Sequence, residues 1–265
     1  HIFLLPFCHL PTANCQLPYW QQQINYKIDV TLNDSAHTLD CFVNMEYFNN
    51  SPDTLSYIWF HLWPNAYKND RTAFSDQILE NGSTKFYFSN NEQRGYINRL
   101  DFKVNGIATR IEDHPQHQDI PRIMLAQPLA PHSSCRIETP FHVKLADLFS
   151  RGGHVDQSYQ VTQWYPKPAV YDSRGWHPIP YLDQGEFYSE FGNYEVQITV
   201  PKNYIVAATG ELKEGNAGST GTSHAYSAPP KRKQMGPIKA ASAREPVIHF
   251  PPSDKDVKTP IHITK

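Results

Sequence analysis

The sequence lacks the short motifs that mark the common catalytic centres. It contains no H-E-x-x-H, the pattern that sets two zinc-binding histidines and a glutamate base on one helix. It also contains no G-x-S-x-G nucleophile elbow, no Walker phosphate-binding loop, no G-x-G-x-x-G dinucleotide motif and no C-x-x-C pair. The 265 residues therefore show no complete catalytic signature.

A strong charge of one sign and a long apolar run are also missing. The formal net charge is -2, whereas a nucleic-acid partner would favour a clearly basic surface. The apolar stretch at residues 2–7 is far too short to form a transmembrane helix. We therefore predict neither a nucleic-acid partner nor a membrane span.

The first residues differ in character from the rest of the chain. The apolar stretch 2–7 is followed by the small residues Thr12 and Ala13, as in a signal peptide whose charged start is missing. The alternative is an ordinary buried N-terminal strand. We interpret residues 1–15 as a signal-peptide remnant and expect the mature protein to start near Gln16 and to be secreted or periplasmic. We also expect the gene product to extend beyond both ends of this sequence.

Cysteine is scarce, with four residues in the whole chain. Cys8 and Cys15 fall in the leader, so Cys41 and Cys135 remain in the body. An exported protein can join two such cysteines in a disulfide, but both can equally be buried thiols. The sequence leaves these alternatives open.

The residues that are abundant favour strands and loops. Aromatic residues make up 13% of the chain, and it contains 22 prolines. Apolar residues alternate with polar ones at Ile24–Leu32, Leu39–Phe48 and Tyr194–Val200, which is the period of a strand with one buried face. A short helix is predicted at 72–79, ended by Gly82. These patterns predict an all-β fold, a large saddle-shaped β-sandwich with long loops and at most short helices.

Shorter segments complete the predicted strands. The Asn-Gly pair at 105–106 is typical of a tight hairpin turn. The remaining predicted strands are Leu55–Trp63, Tyr96–Val104, Arg122–Leu125, Cys135–Leu145, Ser158–Tyr165, Tyr204–Ala208, Val247–Phe250 and Ile261–Ile263. After Gly210 the chain becomes rich in Gly, Ser, Thr and Asn. We therefore predict one domain over 16–265, in which 211–257 is loop-rich with edge strands.

A group of metal-binding residue types surrounds Pro115. Imidazole and carboxylate at short spacing are ligands for divalent metals. The proline, however, breaks any helix that would place both histidines on one face. We interpret Asp113, His114, His117 and Asp119 as an exposed polar loop.

Two further sets have a functional and a plain interpretation. Paired carboxylates at Asp183, Glu186 and Glu190 would suit a glycosidase, but they also fit a junction between a loop and a strand. The tryptophans would suit a sugar-binding platform, although such side chains more often fill a core. They are Trp59, Trp63, Trp164 and Trp176.

Several motifs follow one another in a characteristic order near the C-terminal half. They are W-Y-P at 164–166, Y-D at 171–172, Y-x-V-x-I-x-V-P at 194–201 and V-A-x-x-G at 206–210. In this order they resemble the N-terminal domain of M1-family metallopeptidases, especially a bacterial exported branch. The upstream segment 58–74 is similar to the same branch. The resemblance covers roughly Tyr19–Gly210.

The resemblance implies a fold and a role. The N-terminal domain of that family is a saddle-like β-sandwich packed on a thermolysin-like catalytic domain that carries H-E-x-x-H. It implies zinc in the full-length protein and none bound by this chain. It also implies that this chain's partners are its own downstream catalytic domain and a peptide substrate. The chain would then be inactive alone and would form one wall of the substrate cleft.

The resemblance also suggests two binding residues. In the family, a glutamine of the N-terminal domain, often within Q-x-E, helps to bind the free amine of the substrate. Gln157 and Gln160 stand near the matching place, although Gln157 lacks the expected glutamate two positions later. The plain alternative is a pair of polar strand residues. The alternative for the whole chain is a stand-alone extracellular module that binds peptide or carbohydrate.

Overall fold

A computed structural model describes residues 19–217, 222–228 and 261–264, with side chains described for residues 19–213. The strands are β1 (Gln23–Asn33), β2 (Thr38–Asn49), β3 (Leu55–His61), β4 (Tyr96–Asn98), β5 (Lys103–Val104), β6 (Ile107–Ala108), β7 (Ile111–Asp113), β8 (Pro121–Leu129), β9 (Ser133–Lys144), β10 (Gly153–Val155), β11 (Ser158–Thr162), β12 (Lys167–Pro168), β13 (Val170–Asp172), β14 (Gly175–His177), β15 (Tyr194–Val200), β16 (Val206–Ala208), β17 (Glu211–Ala217), β18 (Thr222–Ala228) and β19 (Ile261–Thr264).

These strands form one large sheet and three smaller ones. The large sheet has the order β17-β18-β15-β1-β2-β9-β5-β6, with β4 also paired to β9. The second sheet has the order β12-β3-β8-β7, and the third has the order β10-β11-β19-β16. Strands β13 and β14 form a separate hairpin. In the large sheet β1 runs parallel to β15 and antiparallel to β2.

The core lies where the sheets face one another. On β1 every second side chain from Ile24 to Leu32 is buried, as the alternation predicts. Ile58 and Phe60 of β3 belong to the same hydrophobic cluster, so the large sheet and the second sheet pack face to face. Tyr159 and Val161 of β11 add the third sheet to this cluster. The architecture confirms the prediction of an all-β sandwich with few helices.

The helical content is small and lies beside the sandwich. The helix α1 (Ala73–Glu80) begins at Thr72, whose side-chain oxygen accepts a hydrogen bond from the backbone N–H of Ser75. A 3₁₀ turn (Trp63–Tyr67) precedes it. Both pack in a second, smaller apolar cluster with Phe86 and Tyr181. No helix among the described residues is long and apolar enough to cross a membrane.

Several predicted strands are longer than the observed ones, and for two of them the backbone gives the reason. The segment predicted as Tyr96–Val104 is divided into β4 and β5, because Arg99 adopts a left-handed conformation with φ of 57°. The strand predicted to reach Tyr165 ends at Thr162, because Gln163 has φ of 52°. The Asn-Gly hairpin is confirmed, with β5 and β6 joined through Asn105 and Gly106, both at positive φ.

The two cysteines of the body are free thiols. Cys41 on β2 lies opposite Phe141 on β9, whereas Cys135 on β9 lies opposite Tyr47 on β2. The register therefore holds them six positions apart along the strand pair. Residues 1–15 and the predicted strand at 247–250 lie outside the described residues.

Candidate functional site

The two glutamines singled out by the sequence lie on one hairpin. Gln157 is in the turn that joins β10 to β11, directly after Asp156 at φ of 50°. Gln160 is on β11, opposite Gly153. Both side chains are exposed, while Tyr159 between them points into the core. The structure thus places both glutamines on one hairpin with exposed side chains, and their role in binding substrate stays a prediction.

The group around Pro115 does not converge on one point. The rings of His114 and His117 stack with centroids 4.9 Å apart. Asp119, interpreted as exposed, is instead buried, and its Oδ2 accepts a hydrogen bond of 2.7 Å from the backbone N–H of Tyr181. Burial raises the pKa of Asp119 to about 6. Within the described residues, no group of three or more His, Cys, Asp and Glu side chains is placed to hold a metal ion.

The three carboxylates of the 183–190 segment have different surroundings. Asp183 accepts a hydrogen bond of 2.5 Å from the hydroxyl of Ser150. Glu186 is exposed, whereas Glu190 is 7% exposed and accepts from the backbone N–H of Tyr171. Since Asp183 and Glu190 bind different elements, the structure gives no support to a shared acid–base pair.

The W-Y-P-K segment turns inward. Trp164 and Tyr165 are buried in the main cluster, and Lys167 is 3% exposed. The ammonium of Lys167 donates to Oε1 of Gln163 at 2.6 Å and lies 4.8 Å from the ring centroid of Trp63. These contacts fix the segment against the 3₁₀ turn, so the motif residues serve here as parts of the scaffold.

His61, at the end of β3, belongs to the same interior region. Its ring stacks on Trp63 at 4.5 Å, and its Nε2 accepts a hydrogen bond from the backbone N–H of Ile179. Burial, assisted by the charge of Lys167, lowers the pKa of His61 to about 3. The imidazole is therefore neutral near pH 7 and acts as a hydrogen-bond acceptor that positions the loop before Tyr181.

A row of half-buried rings runs from the second sheet, through the β13–β14 hairpin, to the segment before β1. It comprises His114, Trp59, Tyr57, Trp176, Tyr171 and Trp20, which we call the aromatic row. Successive ring centroids in this order are 5.3, 6.2, 6.0, 4.8 and 5.8 Å apart. The core interpretation is thus correct for Trp63 and Trp164, which are buried, while Trp59 and Trp176 keep part of their surface exposed.

A cavity of about 150 Å³ lies at the Trp20 end of this row. We call it the acidic pocket. It is lined by Tyr19, Trp20, Gln21, Val170, Tyr171, Asp172, Ser173, Tyr188 and Glu190. Glu190 forms its buried side, and burial raises the pKa of this carboxyl to about 8. The carboxyl of Glu190 is therefore mostly protonated near pH 7.

Asp172, the second carboxylate of the acidic pocket, is held in place by three donors. Nε2 of His177 lies 2.8 Å from Oδ1, the backbone N–H of Arg174 donates to the same oxygen, and the hydroxyl of Tyr188 donates to Oδ2 at 3.1 Å. Burial alone would raise the pKa of Asp172, but these hydrogen bonds lower it overall. Asp172 is therefore an anion beside a carboxyl that resists ionisation.

The pocket is not saturated by the protein's own hydrogen bonds. Nε1 of Trp20, a residue that lines the pocket, is buried without a hydrogen-bond partner in the described part of the chain. Buried donors of this kind normally meet a water or a ligand. The sequence suggested Glu190 but not Trp20 or Asp172, although Y-D at 171–172 was one of the motifs noted there.

No protein-family model matches the sequence, and no curated protein matches it. Solved structures that match this chain include a mutant of a two-domain M1 zinc metallopeptidase bound to L-arginine, with 13% identity and a TM-score of 0.44. Another is an M1 zinc metallopeptidase from Deinococcus radiodurans, with 15% identity and a TM-score of 0.43. Each alignment covers 78% of this chain and 39% of the other. The aligned part of this chain thus spans 39% of the length of those proteins, and these values do not establish a family.

Proposed function

We propose that this chain is the N-terminal, non-catalytic part of a zinc-dependent aminopeptidase of the M1 type. In this proposal it is exported, caps the catalytic domain that follows it, and shapes the cleft for the peptide substrate. The observation that carries the proposal is the inward packing of the segment that resembles the family. Trp164, Tyr165 and Lys167 are buried and hold elements together. Because these residues pack inside the protein, the segment supports the proposal that this chain has a structural role.

The zinc of such an enzyme does not fit the described residues of this chain. The carboxylates and histidines that lie close together are Asp172 with His177, Asp40 with His142, and Asp147 with His154. Each is a pair, whereas a zinc site needs at least three protein ligands. We therefore assign the metal, and the peptide hydrolysis that it would support, to a following domain.

The first test is the reading frame beyond Lys265, followed by an assay of the extended product. We expect the extension to encode H-E-x-x-H, and the extended protein to bind about one zinc per chain and to hydrolyse an aminoacyl reporter. The 265-residue chain should do neither. A frame that ends at Lys265, or an extension without zinc ligands, would contradict the proposal.

The hairpin with Gln157 and Gln160 gives a sharper test in the same extended protein. If it lines the amine end of the cleft, Gln157→Ala or Gln160→Ala should raise KM about tenfold with a smaller change in kcat, because a ground-state contact is lost. Gln116→Ala, in an exposed loop, is the matched control. Unchanged kinetics in both hairpin variants would remove these residues from the substrate site but leave the capping role standing.

The aromatic row favours a second candidate function. The six half-buried rings of the row lie side by side in space and form a surface suited to flat ligands such as sugar rings. The guanidinium of Arg122 lies 5.0 Å from the ring centroid of Tyr57. A stand-alone binding module would use this face. Saturable binding of an oligosaccharide or peptide that is lost in Trp59→Ala, together with a frame ending at Lys265, would favour it.

A further inference from the structure

We propose that the acidic pocket binds a primary ammonium group, such as the one that ends a lysine side chain or a small alkylamine. The inference rests on the pocket's own residues, and it stands whether or not the chain caps a peptidase domain. It differs from the proposed cleft, which we place at the β10–β11 hairpin.

The first argument is charge. Glu190 and Asp172 both line the pocket, and Asp53 lies just outside it, where its Oδ2 accepts the hydroxyl hydrogen of Tyr171. Within the described part of the chain, no lysine or arginine forms an ion pair with any of the three. Among the described residues, His177 is the one basic side chain that contacts any of these three carboxyl groups, and it contacts only Asp172. The pocket therefore concentrates acidic groups without a resident cation.

The second argument is a buried carboxyl with an unused oxygen. Glu190 is 7% exposed, and its Oε1 accepts a hydrogen bond of 3.3 Å from the backbone N–H of Tyr171. Among the described residues, no donor reaches its Oε2. Glu190 lines the cavity, and its Oε2 is not among the buried atoms that lack a partner, so this oxygen is open to an N–H donor that enters the cavity.

The third argument is the nature of the walls. Trp20, Tyr171 and Tyr188 present aromatic rings to the same cavity, and ring faces attract cations. A divalent metal would instead need several oxygen or nitrogen ligands, and no group of three or more His, Cys, Asp and Glu side chains is placed to supply them within the described residues. Rings together with two carboxyls suit an organic cation better than a metal.

Size limits the ligand to a small head group. A cavity of about 150 Å³ is comparable to cavities that admit one benzene molecule. An ammonium with a short alkyl chain fits this space. The ammonium carries three N–H donors, which would be shared between Oε2 of Glu190 and the oxygens of Asp172.

Proton linkage supports the assignment and makes it measurable. The groups that face Glu190 are Asp172, Tyr26, Tyr47, Tyr171 and Tyr188, which supply no positive charge. Because burial holds the pKa of the empty carboxyl at about 8, a bound cation must displace its proton at lower pH. Affinity should therefore rise by up to about tenfold per pH unit between pH 6 and 8, and level off above that range.

The test uses the 265-residue chain and n-butylammonium, whose amine stays protonated over this range. Binding is followed by calorimetry and by the indole N–H signal of Trp20, assigned through Trp20→Phe. We expect saturable binding of n-butylammonium and none of 1-butanol, which has a similar shape but no charge. Glu190→Gln should weaken binding about tenfold or more, since that corresponds to about 1.4 kcal/mol. Glu186→Gln, an exposed glutamate on the same segment, should not change it.

Equal binding of 1-butanol, or wild-type affinity in a folded Glu190→Gln variant, would overturn the proposal. So would the absence of any saturable signal in the wild-type chain, a result that needs no variant to fold. N-acetyl-lysine methylamide separates the two possible sources. If it binds like n-butylammonium, the pocket accepts a lysine of a polypeptide; if n-butylammonium alone binds, the ligand is a free amine.

Discussion

At the scale of single residues, Glu190 illustrates how position in the fold changes the chemistry of a side chain. In the sequence it is one of three acidic residues in a polar stretch. In the structure it lies beneath Tyr171 and Tyr188 at the base of a cavity. Its neighbour Glu186, four positions earlier, is exposed. The two glutamates therefore make a matched pair in which burial is the main difference.

We predict that Glu190→Gln stabilises the protein at alkaline pH but not at acid pH. Burial raises the native pKa to about 8, above the ordinary value of 4.5, so the native state retains a proton that the unfolded chain loses. The contribution of Glu190 to stability is thus fully present below about pH 4.5 and is lost as pH rises towards 8. The amide removes this loss, which is on the order of a few kcal/mol.

The measurement is the unfolding temperature at pH 4.5 and at pH 8.5. The variant should unfold several degrees above wild type at pH 8.5 and close to it at pH 4.5. Glu186→Gln should leave both temperatures nearly unchanged. A stabilisation by Glu190→Gln that is the same at both pH values would contradict the burial of this carboxyl.

The residues of the acidic pocket could be only partly foreseen, for a physical reason. Trp20, Tyr171 and Glu190 are more than 15 residues apart in sequence, and they meet because β13 and the loop before β15 fold over the start of β1. Spacing along the chain carries no signal for such a meeting. Glu190 was noticeable as a carboxylate, whereas its burial depends wholly on tertiary packing.

At the scale of elements, alternation was a reliable guide and pairing was not. The strand predicted at Tyr194–Val200 matches β15 at both ends, and Ile24–Leu32 lies within β1. The parallel pairing of these two strands, with Tyr26 opposite Tyr194, joins segments separated by more than 160 residues. Local periodicity does not encode a partner at that distance, because it records only which face of a strand is buried.

Gly192 is essential to that parallel pairing. The backbone oxygens of Phe191 and Asn193 accept hydrogen bonds from the N–H groups of Ile24 and Tyr26, which brings Gly192 against β1. A Cβ placed on Gly192 would overlap the backbone oxygen of Ile24. The nearest atoms are all main-chain atoms of Ile24, so no flexible side chain could move away.

We predict that Gly192→Ala lowers the free energy of unfolding by about 3 kcal/mol or prevents folding, because the entry into β15 must move. Urea denaturation measures the loss. The control is Gly82→Ala: Gly82 has φ of 82° but open space around its Cβ position. That change should cost about 1 kcal/mol from backbone strain alone. Equal losses in the two variants would show that the close approach to β1 is unimportant.

At the scale of the whole molecule, the prediction of an all-β sandwich is confirmed. This fold could be predicted because the evidence for it was spread over the entire chain. Aromatic content, prolines and many short alternating segments all favour layered sheets, and an error in one segment does not alter the sum. How the third sheet joins the first two could not be predicted. Its neighbouring strands β11, β16 and β19 come from distant segments of the chain.

The main apolar cluster spans all three larger sheets, and this gives the last prediction. Residues such as Ile28, Phe60 and Val161 belong to one continuous core that includes no metal ligand set among the described residues. Stability should then come from apolar burial rather than from a bound ion. We predict that excess chelator leaves the unfolding temperature of the 265-residue chain unchanged to within about one degree, whereas a domain folded around zinc would unfold. In the extended protein, chelation should abolish peptidase activity while the near-ultraviolet circular dichroism contributed by the buried Trp63 and Trp164 persists. If chelator lowered the unfolding temperature of the isolated chain by several degrees, a structural metal would lie within this chain. That result would contradict the role proposed above.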